Sequence, residues 1–421
     1  MTSIVKLTAE NGETFHFPTA FLRENLKESI DKSSLQRVSF NLPISLNITN
    51  IKQTKNNAFD LTFSDGVTGT FVLPPKKIDS KIEDFKRTLW GGEFSTTTAM
   101  LSHLLETSYK NGGLKFMWGD LQIDGGDSSD SNRSSEQLGA GRAILPRKVA
   151  NARSKLIEAV RVYGLANVVN VPIKPDQGIH LANSIVGAVE TTNFGYKFVI
   201  KSVPDPHNLA FDSIFLQHHH DFTYCKKIPD IGMFYCLENA DSGGDSLWMD
   251  GFAAAEKLKQ DDPEAFQLLV HTDVLHMDIT DKWDLQACHP TIILDKNTGE
   301  LERIVFNERT RDSWRQWNDK ESLTKSPEFY AALRKYERLA EGKGFEINTP
   351  LKPGQMILFD NNRIMHSRTS FEVVKKERHM EGAYIDWGAA GATWKALQPQ
   401  INGENYVYCG NTVGLELKAR M

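Results

Sequence analysis

Short apolar runs closed by polar glycine turns constrain this chain more than any other feature. Between Ile228 and Met249 it reads IGMFYCL, then ADSGGDS, then LWM; later a Pro353-Gly354 turn precedes MILF, and a further run surrounds Glu381–Trp387. Such runs are too short to give a helix a buried face and long enough to make strands. Similar signals lie near the start, over Ser39–Ile51 and over Ala58–Pro74, the second as two strands around Ser64-Asp65-Gly66. Helices are expected over Ser80–Trp90 and Thr97–Tyr109, and after Pro146, where Val149, Ala152, Leu156, Ala159 and Val160 recur on one face. Others are expected from an Asp250 N-cap, from Pro263, and over Ser326–Phe345. No strand–helix–strand repeat is present, so the expected class is mainly β with flanking helices, a sandwich or jelly roll.

The stretch Asp124–Gly141 is rich in Gly, Ser and Asp and has too little apolar surface to hold itself in place. It suggests a small β-rich N-terminal domain over 1–110, a linker or insertion over 111–145, and a larger domain over 146–421. Gly139-Ala140-Gly141 lacks the spacing and the following Lys-Ser/Thr of a phosphate loop. A net charge of -5 argues against nucleic acid as a partner, which needs a basic face. No window approaches 18 apolar residues, so no membrane span is expected. Four cysteines without a CxxC pattern give no disulfide framework, and the expected location is cytoplasmic.

The stretch LQHHHDFTY, Leu216–Tyr224, raises the question of a metal site. Side chains two apart in an extended segment share a side, which pairs His219 with Asp221 and, alternatively, His218 with His220. The mixed set favours His219 and Asp221, because two imidazoles and one carboxylate suit non-haem ferrous chemistry with open positions. The third ligand must come from elsewhere, and His366, after a strand and a turn, is the best candidate. A zinc hydrolase built on His271 and His276 is the competing reading, without an HExxH pattern to support it.

Several blocks in order carry a more specific signal: LQHHHD, SGGDSLWMDGF at Ser242–Phe252, FYAALRKY at Phe329–Tyr336, PGQMILFDNNRIMHSR ending at Arg368, and RHMEGAYIDW at Arg378–Trp387. Together they resemble the gamma-butyrobetaine and trimethyllysine dioxygenase branch of the TauD-type 2-oxoglutarate-dependent oxygenases. FHFPTAFLREN and LTFSDGVTGTF resemble that family's small leading domain. The resemblance implies a double-stranded β-helix (jelly roll) core and the cofactors Fe(II), 2-oxoglutarate and O2, with ascorbate as a stimulant and a homodimer as the assembly. By the same resemblance His219, Asp221 and His366 hold iron. Arg378 grips the distal carboxylate of 2-oxoglutarate with a donor fork that suits such a group, and Ser246 contacts the cosubstrate.

The family's quaternary-ammonium cage is matched here by Phe194, Phe198, Phe211 and Tyr384, and its substrate-side amides by Asn208 and Asn307. Rings present a negative face to a cation, so a small zwitterionic metabolite is expected, gamma-butyrobetaine or a related betaine or amino acid first. Arg309 and Arg311 are near enough in sequence to add a positive charge. The resemblance fails at the family's leading-domain zinc: no cysteine precedes residue 225, so structural zinc is not expected. The expected reaction is hydroxylation. Desaturation, cyclisation or rearrangement with the same cofactors is one alternative, and a non-catalytic metabolite-binding protein is another.

Overall fold

The computed structural model describes residues 3–29, 43, 46–55, 57–73, 85–123, 145–187, 189–201, 213–312, 320–341, 344–372, 378–402, 407–408 and 415–416. The chain divides into two compact units, Met1–Ser80 with Asn402–Met421, and Lys81–Ile401. In the smaller unit a hairpin, Ile4–Thr8 with Thr14–Pro18, leads into a short helix, Thr19–Glu24. A three-stranded meander follows, Ile48–Gln53, Ala58–Phe63 and Thr68–Val72. Leu7, Leu22, Leu26, Leu61, Phe63 and Phe71 form its apolar core.

The division at Ser80 corrects the boundary of 110 drawn from the sequence. The helix Thr98–Glu106 sends Leu101 and Leu105 into the main core of the larger unit, so it cannot belong to an independent N-terminal domain. The helix expected over Ser80–Trp90 is also corrected across its described part, 85–90, which is irregular. There the backbone bonds outward: Thr88 N–H donates to the Val162 carbonyl (2.7 Å), and Trp90 N–H donates to the Asp250 carboxylate (3.1 Å). Partners elsewhere outweigh local helix propensity. Asn208 and Phe211 lie outside the described residues.

Two sheets organise the larger unit. The major sheet has the spatial order Lys115–Met117, Leu165–Val169, Met356–Asp360, Ile231–Glu238, His379–Ile385, Phe198–Lys201. The minor sheet has the order Glu346–Thr349, Ser246–Asp250, Ile364–Arg368, Leu216–His219. Neighbours are antiparallel except for the first pair of the major sheet. IGMFYCL and SLWMD, adjacent in sequence, therefore lie in different sheets, and the polar glycine turn between them carries the chain across. The same crossing recurs from Thr349 to Met356, from Asp360 to Ile364 and from Arg368 to His379. Aromatic rings join the sheets: Trp248 packs with its ring tilted against Phe359 at 5.1 Å and Phe234 at 6.3 Å.

Helices cover the outside. Arg147–Tyr163 and Gln177–Val186 feed the main core. Gly251–Asp261, Pro263–His271 and Lys320–Ala340 close a second one. Asp250 caps the first helix of that group by accepting from Phe252 and Ala253 N–H at 3.1 and 3.3 Å. No described helix is long and apolar enough to cross a membrane.

One buried ion pair ties the cap to the turn before the strand Ile364–Arg368. Arg363, fully buried, donates to Asp250 at 3.0 and 2.6 Å, to the Val162 carbonyl at 3.0 Å and to the Thr88 carbonyl at 2.6 Å. Removing one partner of such a pair strands the other charge without solvent. Arg363→Met is therefore expected to lower the unfolding free energy by about 3–5 kcal/mol. Chemical denaturation of the full chain measures it; a loss below about 1 kcal/mol would show that Asp250 finds other compensation.

Candidate active site

His219 and His366 are far apart in sequence and directly opposite in the minor sheet, where they are register partners. Their ring centroids stand 4.3 Å apart. Asp221 lies just past the end of its strand, with its Oδ1 3.7 Å from His219 Nε2 and its Oδ2 3.5 Å from His366 Nε2. One ligand atom from each of the three lies within 4.8 Å of the others, and among the described residues this is the group of three or more that fits a metal ion. Ligand atoms at right angles about an ion roughly 2.1 Å away stand about 3 Å apart. The Asp221 oxygens, 3.7 and 3.5 Å from the two imidazole nitrogens, need to tighten by less than an ångström, which the charge of a bound cation would drive.

A β-bulge sets this arrangement. Leu216 pairs with Arg368 and His219 with His366, so Gln217 and His218 together face Ser367. The extra residue resets the alternation. Leu216 and His219 both line the cavity, whereas His218 turns away and meets Glu346 at 2.6 Å. His220 is fully buried and its backbone N–H donates to the Phe306 carbonyl, apart from the ligand group. Of the two pairings open in the sequence, His219 with Asp221 and His218 with His220, the structure forms the first and adds His366 to it. His271 and His276 assemble no such group among the described residues.

The surroundings prepare each ligand. His219 Nδ1–H donates to the Gln217 carbonyl at 2.7 Å, which fixes the proton on Nδ1 and leaves the Nε2 lone pair facing the cavity. Burial, helped by the neighbouring His366, pushes the His219 imidazole down to about 3, so the ring is neutral and able to bind metal. Burial alone would raise the Asp221 carboxyl. The two imidazoles and the Tyr384 hydroxyl, donating at 2.7 Å, outweigh it and hold the group well below the usual carboxylate range. The Asp221 backbone is fixed as well: its N–H donates to Asn361 Oδ1 at 3.1 Å, and Asn361 Nδ2 donates to the Pro229 carbonyl at 2.9 Å. Phe222 follows with φ +58, a left-handed conformation that is rare for a large side chain and stores strain next to the site. The His366 ring packs against Phe234 and Phe359, each at 5.1 Å.

Two chambers meet at the triad. The first is lined by Ser246, Trp248, His366, Arg368 and Arg378, with His219 and Asp221. Arg378 is buried, and burial pushes its guanidinium down to about 10. Phe371 lies under it at 5.9 Å, and no carboxylate among the described residues pairs with it. A buried guanidinium without an anion is costly, which makes it a receptor for one. The chemistry of the donors fits a ferrous ion, and Arg378 in the same chamber fits a second, anionic group beside it.

The second chamber is lined by Phe194, Phe198, Phe222, Tyr224, Asp278, Asn307, Arg309 and Tyr384, again with His219 and Asp221. Phe194 contacts Phe198 at 4.6 Å and Trp283 at 5.4 Å. Asn307 donates to the His220 carbonyl at 3.3 Å and accepts from Arg309 N–H at 3.2 Å, which ties this wall to the metal loop. Arg309 is in the lining, whereas Arg311 is engaged by Glu308 at 2.9 and 2.7 Å and by Tyr330 at 3.2 Å. Sequence reasoning named Phe194, Phe198, Asn307 and Tyr384 but missed Phe222, Tyr224 and Asp278. It also missed the Tyr384 bond to Asp221. An aromatic residue in a turn, or an acid near the end of a hairpin strand, carries no local signal of facing a cavity.

Tyr384→Phe keeps the ring and removes the hydroxyl. It is expected to weaken ferrous affinity or turnover by about 10- to 100-fold, as for other partners of metal-bound groups. Metal titration of the variant checks this, and an unchanged affinity and rate would show that Asp221 needs no such support.

Comparison with known proteins agrees with the geometry. The model of the family described as taurine catabolism dioxygenase TauD, TfdA family, matches residues 132–384. Human gamma-butyrobetaine dioxygenase is 31% identical over 255 residues, covering 60% of this chain and 64% of that protein. The protein of the same name from Pseudomonas sp. (strain AK-1) is 31% identical over 228 residues, 54% of this chain and 58% of its own. Trimethyllysine dioxygenase from Meyerozyma guilliermondii is 30% identical over 226 residues, 53% and 55% respectively. The matched part thus spans less than two thirds of each of these relatives. With the family model matching more than half of its length, the chain belongs to the TauD, TfdA dioxygenase family.

Proposed function

We propose that this protein is an Fe(II)- and 2-oxoglutarate-dependent oxygenase that hydroxylates an unactivated C–H bond of a small zwitterionic metabolite, with gamma-butyrobetaine or a related betaine or amino acid as the first candidates. The observation that carries the reading is the meeting of two chambers at His219, Asp221 and His366, one holding a buried cation that no carboxylate among the described residues pairs with, the other lined by aromatic rings. The family and the names of the human and Pseudomonas relatives support it. A ferrous ion with 2-oxoglutarate supplies dioxygen activation, coupling conversion of 2-oxoglutarate to succinate and CO2 with oxidation of the substrate.

The residues' parts follow from where they stand. His219, Asp221 and His366 would hold the metal on one side and leave the other side to ligands. Arg378 would pair with the distal carboxylate of 2-oxoglutarate, with the Ser246 hydroxyl beside it. Phe194, Phe198 and Tyr384 offer ring faces to a substrate cation, and the remaining N–H of the Asn307 amide can donate to an acidic end. The repeated crossing of the chain between sheets supports a double-stranded β-helix as the core of the larger unit.

The test is an oxygen-uptake screen of the iron-loaded protein with 2-oxoglutarate across small zwitterions, followed by product mass. A substrate-dependent release of succinate with a product one oxygen heavier is expected. A product two hydrogens lighter would replace hydroxylation by desaturation. No stimulation by any member would favour a binding protein on the same scaffold.

A further inference from the structure

The second chamber carries two opposite charges that leave each other alone. Asp278 lies on the hairpin Asp273–Ile279 with Asp284–Pro290, half-buried, with its Oδ2 accepting from the Trp283 indole N–H at 2.9 Å. Arg309 lies in the turn after Phe306, also half-buried, and donates to the Phe215 carbonyl at 3.3 Å. Both line the chamber, and among the described residues neither is within ion-pair distance of the other or of any other charged group. Each is pinned by its own neutral partner. The two segments are also tied together, since Met277 N–H donates to the Thr310 carbonyl at 2.7 Å and His276 Nδ1 lies 2.9 Å from Thr310 Oγ1. The segments that carry the two charges are thus held together along one wall of the chamber.

A ring-lined chamber alone binds a cation through ring faces and tolerates a quaternary nitrogen, which has no N–H to donate. A carboxylate in the wall changes that preference, because it can accept a charge-assisted hydrogen bond only from an ammonium that keeps a proton. A site built to accept a hydrogen bond discriminates against the analogue that lacks it, because its own polar group is then left unpaired. Phe194 bears edge-on upon Trp283, the residue that holds Asp278, so carboxylate and aromatic wall form one surface.

We infer that Asp278 is a specificity-determining residue that selects a substrate whose cationic end is an ammonium with at least one N–H, while Arg309 takes the anionic end. The inference rests on the oxygenase reading and narrows its substrate class from betaines towards amino acids and their partly methylated forms. Nothing in it requires Asp278 to touch the metal.

Calorimetric binding to the ferrous protein with 2-oxoglutarate, without oxygen, tests it with 4-aminobutanoate and its mono-, di- and trimethylated forms, and with the five- and six-carbon homologues. The last methylation is expected to cost at least tenfold in affinity. In Asp278→Asn the four members of a series should agree within about threefold, whereas Arg309→Gln should weaken all four alike and keep their ratio. A trimethylated form that binds as well as the others, a ratio unchanged in Asp278→Asn, or no binding by any member overturns the inference. Retention of radiolabelled 2-oxoglutarate by the unaltered ferrous protein separates the two levels. Without retention the oxygenase reading itself falls; with retention and a failed ratio, only the role of Asp278 falls.

Discussion

His219→Ala and His366→Ala are each expected to lower ferrous-ion affinity by more than about 100-fold and to abolish iron-dependent turnover, whereas His218→Ala keeps turnover within about threefold. Loss of an outer partner of a metal ligand already costs about 10- to 100-fold, and loss of the ligand itself exceeds that. The contrast between neighbours is the informative part. His218 differs from His219 by one position, yet the bulge at Gln217 and His218 turns it to the far side, where it meets Glu346. That contact is partly exposed, so its removal costs stability of about 1 kcal/mol or less and leaves the site intact. Metal titration of the three variants reads the register directly. Equal losses in all three would mean that the strand is out of register in solution.

Arg378→Met is expected to raise the 2-oxoglutarate concentration for half-saturation by about 10- to 100-fold, the range for losing a charge-assisted hydrogen-bonded pair of about 1.5–3 kcal/mol. Ferrous affinity should change by less than about threefold, because Arg378 lines the chamber without belonging to the metal-ligating group. The same replacement removes a buried cation that no carboxylate among the described residues pairs with, so the protein without cosubstrate should lose no stability. A cosubstrate that binds equally well to the variant would move the anion site elsewhere, with Arg368, in the same chamber, as the next residue to change.

Much of this was legible in the sequence because it depends on local periodicity. The strands at Ile231–Glu238, Ser246–Asp250 and Met356–Asp360 follow from apolar runs between turns, and the Asp250 cap from its place before an apolar helix. The sharing of one side by His219 and Asp221 was also legible from alternation. His366 was legible as the third ligand, but its place directly opposite His219 was not, because register between distant strands depends on tertiary packing, and a single bulge changes which neighbour faces the cavity. The irregular course of 85–90 was hidden for the same reason: its partners, Val162 and Asp250, lie far along the chain. Asp278 gave no signal at all, since an acid near a hairpin turn is most often solvated.

The central claim is that His219, Asp221 and His366 hold one ferrous ion that 2-oxoglutarate can chelate. Titration of Fe(II) into the metal-free protein with 2-oxoglutarate, under strict exclusion of oxygen, tests it through the visible charge-transfer absorption of a ferrous keto-acid chelate. The account predicts a band that saturates at one iron per chain and is missing in His366→Ala. A featureless spectrum at saturating iron, or the same band in His366→Ala, would contradict it.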